Sequence, residues 1–400
     1  MGMDLWIVNA RIRGRAELCD IGIKGDRIME IGTYRADEPC KVIDANGGLV
    51  TESFVNGHLH LDKVYTLKQA GEAALTAYNE NGMGGAAEAI TRAADFKASY
   101  DEAWILPNVR KALELAVRYG NTHILAFADV DTKARLEGVK ALLKAKEEYK
   151  DRVTLEVVAF PQDGIEKEPG AEELVRQALE LGADVVGGIP WIELSVEAEQ
   201  AHVDKMCALA KEFHKPISML LDDVGDAEER TLEMLCKRTL EMGFSGRVTA
   251  QHCRAMELYP ENYFRKLVEL LKAAKVGIVS DPHTGPLAAR VRDLWEAGVP
   301  VALGQDDIQD AYYPFGRNNM LEVAFLASHL LRMLTDEDME RLYDMITVSA
   351  AKVLGLSDHK LAVGGKADLV VLEESDVQHA IWYHRAPKHV LKNGKEITVR

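Results

Sequence analysis

The stretch ESFVNGHLHLDKVY, residues 52–65, puts His58 and His60 one residue apart, directly after the apolar GGLV and just before Asp62 and Lys63. In a strand, side chains at i and i+2 point the same way, so this spacing aims two imidazoles at one point. A chain with only 12 histidines that pairs two of them at the end of an apolar run is built to present them. Metal sites are made in this way.

Outward from this stretch, residues 52 to 355 alternate short apolar runs with long amphipathic segments. After the run ending at His58 come HILAFADV, VTLEVVAF, ADVVGGIP, PISMLL, RVTAQHC, KVGIVSD and PVALGQDD, which makes eight strand candidates. Between them lie helix-like segments such as TKARLEGVKALLKAKEEYK and AEELVRQALELG. Eight strands apolar enough to be buried on both faces, alternating with helices, predict an α/β fold of the (β/α)8 barrel type, with a doubly wound sheet as the alternative. The first 50 residues read as short strands with turns at Gly25-Asp26 and Asn46-Gly47, and strands return after about residue 360 with a turn at Asn393-Gly394. The two ends are expected to pair into a small β-sandwich: 1–50 and 358–400 form it, and 51–357 form the barrel. GMGGAA at Gly82 follows no strand, so it reads as a mobile loop and not as a nucleotide-binding turn.

In such a barrel the active site lies at the carboxyl ends of the strands, and the polar residues ending each run are the candidates. They are His58 and His60, Asp129 and Asp131, Gln162, Asp222 and Asp223, Gln251 and His252, Asp281 and His283, and Asp306 and Asp307. Imidazoles and a carboxylate converging from separate strands suit one divalent ion, Zn²⁺ or Fe²⁺, with a position left for water. His58, His60 and Asp306 are the expected metal ligands. Phe127 and Trp191, near strand ends, suggest an apolar or stacked ligand, although either ring could simply pack the barrel top. The histidines at 123, 202, 214, 329, 359, 379, 384 and 389 fall in loops, helices or the terminal sheet and read as bystanders.

Composition narrows the partners. A formal charge of −16 and a pI near 5.3 argue against nucleic acid or an anionic membrane. No apolar run approaches the ~20 residues of a membrane span, and the start MGMDLWIVNARIRG lacks a signal peptide's basic and apolar regions, so a cytoplasmic location is expected. Five scattered cysteines without a CxxC pair predict neither disulfides nor a thiolate zinc site. With neither H-x-E nor CxxC, the small zinc deaminase fold is excluded, and no G-x-S-x-G elbow occurs.

VNGHLHLDK, VVAFPQDGI, LGADVVGGIP, GRVTAQHCRAM and LGQDDIQDAYYPFGRNNM resemble, in order and over nearly the whole chain, the amidohydrolase superfamily. The resemblance is to its cytosine deaminase and N-isopropylammelide aminohydrolase branch, and the terminal DIGIKGDRIMEIG and GKADLVVL share it. The resemblance implies that His58, His60 and Asp306 bind one Fe²⁺ or Zn²⁺, that His252 polarises or deprotonates the attacking water, and that Gln162 holds the substrate ring. It also implies that His283 and Asp307 border the substrate, and that relatives assemble as homo-oligomers. Two positions depart from the pattern. Leu220 in ISMLLDDVG stands where a ligating histidine is expected, with Asp223 in place of the proton-carrying acid; Phe127 stands where the second strand carries a histidine.

The expected function is therefore metal-dependent hydrolysis of a C–N bond in an amino- or alkylamino-substituted heterocycle, pyrimidine- or triazine-like, with Asp306, His252 and Asp223 as the catalytic groups. Two alternatives are an amidase or cyclic-amide hydrolase on the same scaffold, and a catalytically impaired homologue, marked by Leu220, that binds a small ligand without hydrolysing it.

Overall fold

The computed structural model describes residues 2–34 and 40–398. Its centre is an eight-stranded parallel sheet of β6 (Phe54–His60), β7 (Asn121–Asp129), β8 (Thr154–Phe160), β9 (Val185–Val186), β10 (Ile217–Leu221), β11 (Val248–His252), β12 (Gly277–Ser280) and β13 (Val301–Leu303), hydrogen-bonded in chain order. The ring closes where Leu59 of β6 bridges Asp306 just past β13, with Asp306 N–H donating to His58 O and His60 N–H to Asp306 O. Every residue of β6, β7, β10 and β11 is buried, as strands covered on both faces require. The barrel expected from the eight apolar runs is the one observed.

The helices sit outside the ring because each has a single apolar stripe. Ala171–Leu181, for example, buries Val175, Ala178 and Leu179, carries Glu172 and Glu173 in its first turn, and stops at the left-handed Gly182. The apolar helix Met320–Leu330 likewise turns Leu321, Val323 and Ala324 into the core. GMGGAA differs from its reading as a loop: Gly82–Gly85 form a 3₁₀ turn that runs into the helix Ala86–Lys97, whose Ala86, Ala89, Ile90 and Ala94 are buried. That apolar spacing outweighed the three glycines before it.

The remaining strands form two four-stranded sheets. One holds β1 (Leu5–Ala10), β2 (Cys19–Lys24), β3 (Arg27–Gly32) and β4 (Lys41–Asp44); the other holds β5 (Val50–Glu52), β14 (Leu369–Val371), β15 (His389–Lys392) and β16 (Lys395–Ile397). Ile7, Ile21, Ile23 and Ile28 from the first pack in one core with Val50, Leu369 and Leu391 from the second, so the chain's two ends make the small β-sandwich beside the barrel. No helix among the described residues is long and apolar enough to cross a membrane.

Candidate metal centre and cleft

At the carboxyl end of the barrel, His58 and His60 at the end of β6, His252 at the end of β11 and Asp306 after β13 converge. One donor atom from each lies within 4.8 Å of the others. Asp306 Oδ1 is 3.1 Å from His58 Nε2, 3.7 Å from His60 Nε2 and 3.8 Å from His252 Nε2. The rings of His60 and His252 stand 4.9 and 4.8 Å from that of His58. Backbone detail permits this closeness. His252 and Asp306 take left-handed φ of 64°, which turns the chain sharply at the strand ends, and a Cβ at position 304 would meet Asp281 Oδ1 at 2.3 Å and His58 Cβ at 2.6 Å, so only glycine fits there. Asn56 pins the seam, its Oδ1 accepting from the amides of His58 and Gln305.

The donor set fits a divalent metal. Nε2 of His58, buried and aimed into the cluster, has no well-formed hydrogen bond although Asp306 Oδ1 lies 3.1 Å away, and an ion in the cluster would satisfy it. Burial, with Lys63 and His58 nearby, holds His60 well below 6.5, so it is a neutral donor. Burial alone would raise Asp306, but His252, His58 and Arg254 outweigh it and keep the carboxylate ionised. Burial and Arg254 push His252 down, and the carboxylates of Asp306, Asp223 and Asp281 reverse this and leave it raised.

Leu220 does line the cleft, packed with Phe127, Phe160, Ile189 and Trp191 in an apolar cluster that the helix Ala86–Lys97 roofs through Ala86 and Ile90. It pairs with Gln251, one register step from His252. The position left by the missing fifth-strand histidine is hydrocarbon, and His252 stands beside it as the fourth donor.

Of the expected residues, Gln162, Trp191, Asp223, His252, Asp306 and Asp307 all line this cleft of about 470 Å³, part of it open to solvent. Phe127 does not: its fully buried ring lies 4.2 Å from that of His58, behind the histidines, because β7 points it into the barrel. His283 lies to one side, its Nε2 3.1 Å from Gln305 O, and faces a neighbouring groove. Burial, then Asp306 and Asp310, raise Asp307 well above the carboxylate range.

Three cleft residues, Arg254, Thr284 and Tyr312, and the buried Lys63 behind Gln162 escaped the sequence reading. Arg254, two residues past His252, donates from Nη1 to Asp223 Oδ1 at 2.7 Å and from Nη2 to Thr284 Oγ1 at 2.6 Å, with Asp306 Oδ2 3.6 Å away. Thr284 in turn donates to Asp306 Oδ2. Lys63, buried and paired with both oxygens of Asp129, donates to Gln162 Oε1, which leaves the Gln162 amide N–H₂ turned toward Tyr312 and the cleft. The same rule that collected strand-end acids, extended by two or three residues and to bases, would have found Lys63 and Arg254.

Two of the bystander histidines also cluster. His123, His359 and Asp368 meet between the barrel and the sandwich, where Lys392 Nζ lies 2.8 Å from Asp368 Oδ2 and 3.1 Å from His123 Nε2. The lysine ammonium occupies the cation position there, so this group is a buried ion pair with imidazole partners.

Comparison with known proteins gives the family. The chain is 32% identical over 395 residues, 98% of this chain and 97% of the relative, to N-isopropylammelide isopropyl amidohydrolase of Pseudomonas sp. (strain ADP). It is 26% identical over 390 residues to pterin deaminase of Rhizobium rhizogenes, covering 92% and 85%. The crystal structure of 5-methylcytosine deaminase from Klebsiella pneumoniae, liganded with 5-fluorocytosine, superposes with a TM-score of 0.89 at 32% identity over 99% of this chain and 97% of that one. The pattern of the amidohydrolase family matches residues 41–398. This chain belongs to the amidohydrolase family, as a hydrolase of carbon–nitrogen bonds.

Proposed function

We propose that the chain hydrolyses the exocyclic C–N bond of an amino- or alkylamino-substituted nitrogen heterocycle, with His58, His60, His252 and Asp306 as the ligands of one zinc or iron ion. A divalent ion bound there supplies Lewis acidity and brings a water toward deprotonation near neutral pH. The observation that carries the reading is the convergence of three imidazole Nε2 atoms on Asp306 Oδ1 in a cleft that also holds Asp223 and Gln162.

The chain's own residues divide the work. Gln162, oriented by Lys63, offers an N–H donor to a ring carbonyl or ring nitrogen. Ile189, Trp191 and Leu220 form an apolar wall against which a flat ring packs. His252, its Nε2 turned to the ion site, keeps Nδ1 3.1 Å from Asp281 Oδ2, which orients the ring, and Asp223 takes the proton of the attacking water. Asp223 delivers a proton to the departing nitrogen, and Arg254 fixes where its carboxylate sits. The relatives named above act on or bind heterocycles, which favours this class over open-chain amides. Five free cysteines suit a reducing, cytoplasmic setting.

The test is metal content per chain after purification without chelator, followed by a screen of aminopyrimidines and aminotriazines for released ammonia or amine. Close to one zinc or iron per chain with turnover of one panel member is the expected result. An empty site and no turnover across the panel would leave the ligand-binding alternative standing instead.

A further inference from the structure

The other end of the barrel holds a second pocket, at the amino ends of β8, β9, β10 and β11, of about 600 Å³ with part of it open to solvent. The metal cluster and its cleft lie at the opposite ends of these strands, and the two hollows share no lining residue. Leu125, Val185, Val353 and Leu354 give the pocket apolar walls, the last two from the end of the helix Val348–Val353. Its polar groups include Glu156, Ser218 and Thr249. Side chains two apart in a strand share a face, and Val158 and Phe160 pack with Phe127 and Leu220 inside the barrel, so Glu156 points inward too.

A barrel interior is normally filled by branched apolar side chains, and a carboxylate set among them costs free energy unless it is paired. Among the described residues, Glu156 has neither a hydrogen bond nor a salt bridge. The cations of this region are committed elsewhere. Lys146 Nζ holds both oxygens of Asp184, at 2.6 and 2.7 Å, while Arg247 donates to His214 O and stacks over Phe244 at 4.7 Å. Burial, with Asp184 nearby, pushes Glu156 up to about 7, so this carboxyl gains from any positive charge that enters the pocket. Two more acceptors line the same space. Ser218 Oγ accepts from Gln251 Nε2 at 2.8 Å and keeps a second lone pair, and the Thr249 hydroxyl, turned toward Ile217 O, leaves its own oxygen able to accept. We propose that this pocket binds a small organic cation, a primary ammonium on a short apolar chain. Its charge meets Glu156, its other N–H groups meet the hydroxyl oxygens of Ser218 and Thr249, and its chain lies against Leu125, Val185 and Leu354. Three acceptors match the three N–H donors of an ammonium, whereas one carboxylate among hydrocarbon offers too few oxygens for a bare divalent ion. The site needs no ion in the histidine cluster and is independent of the hydrolase reading.

Saturation-transfer NMR titrations of the full-length chain with butylammonium, methylammonium and 1-butanol test the site, in chelator at near-physiological salt and at a pH above the Glu156 value. Butylammonium should bind tighter than 1-butanol by roughly tenfold or more, the scale of one charge-assisted hydrogen bond. It should exceed methylammonium by roughly tenfold or more as well, through its buried methylenes. Glu156→Gln and, independently, Glu156→Leu should bring butylammonium down to the level of the alcohol. Each removes an unpaired carboxyl, so both variants should fold, which urea unfolding checks. Butylammonium binding that survives both substitutions would belong to the acidic outer surface and would overturn the site. Butylammonium that binds no better than either comparator, or does not bind, would overturn it equally.

Discussion

Arg254 Nη1 lies 2.7 Å from Asp223 Oδ1, and both side chains are at least nine-tenths buried. The pair joins the carboxylate on the loop after β10 to the one after β13, because the same guanidinium stands 3.6 Å from Asp306 Oδ2. One positive charge is thus shared between Asp223 and the carboxylate of the candidate metal cluster.

Arg254→Met strips that charge and leaves Asp223 uncompensated. Breaking a buried pair in this way costs about 3–5 kcal/mol, and since Asp223 borders the open cleft the lower figure is expected. Urea unfolding should show the loss, and the double variant Arg254→Met/Asp223→Leu should recover most of it. A single-variant cost below about 1 kcal/mol would rank the pair with surface salt bridges.

Leu220→His restores the family's fifth-strand ligand. Without metal, the new imidazole replaces a side chain that is 4% exposed, so chelated protein should lose about 1–3 kcal/mol of stability. With metal, affinity for zinc should rise by more than the roughly 10–100-fold associated with losing one supporting partner of a ligand. Competition with a colorimetric chelator measures the second effect, and unchanged affinity would mean that His252 already satisfies the ion.

Lys97, the last residue of the helix roofing the cleft, reaches Asp131 at 2.7 Å and Asp163 at 2.8 Å. Lys97→Met leaves these acids without their cation and unpins the helix. Hydrogen exchange across residues 86–97 should accelerate strongly while β7 and β8 stay protected. An unchanged exchange pattern would show that the apolar contacts of Ala86 and Ile90 suffice.

Stability should fall with acid through the buried imidazoles. Burial holds His359 below its ordinary 6.5, so unfolded chains take up a proton near pH 6.5 that the native chain refuses. The contribution is flat above that value and is lost as pH drops toward the folded pKa, by up to about 1.4 kcal/mol per unit. Buried acids such as Glu156, raised to about 7 by burial, act in the opposite sense, so the reading is a difference against His359→Gln, which keeps a donor for Ser53 O. The wild type should lose ground to this variant between pH 7 and 5.5 in urea unfolding with chelator present.

The barrel was legible because its strands are buried on both faces and so appear as uninterrupted apolar runs, and because period two aligns His58 with His60. The cleft was legible only as far as strand ends reach. Arg254 and Thr284 lie beyond those ends, where left-handed residues such as Cys253 turn the chain, and the direction a side chain takes after such a turn is not written in any periodicity. Phe127 takes the packing alternative: the inward face of β7 claims this strand-end aromatic, and strand position alone does not separate that role from contact with a ligand. His123 and His359 went unread as a cluster because their partners, Asp368 and Lys392, come from the far end of the chain.

The seam of the barrel has a consequence in time. Asn56 and Gln305, which it hydrogen-bonds, are 249 positions apart, and they join the first barrel strand to the last. During synthesis His58 and His60 emerge early, yet Asp306 arrives only after every intervening strand has left the ribosome. Because non-local closure of this kind comes late in folding, a nascent chain offers a stray ion at most the three histidines of the cluster without Asp306. The complete set of four candidate donors is assembled by the same event that closes the ring, so an ion that needs all four would wait for a finished barrel.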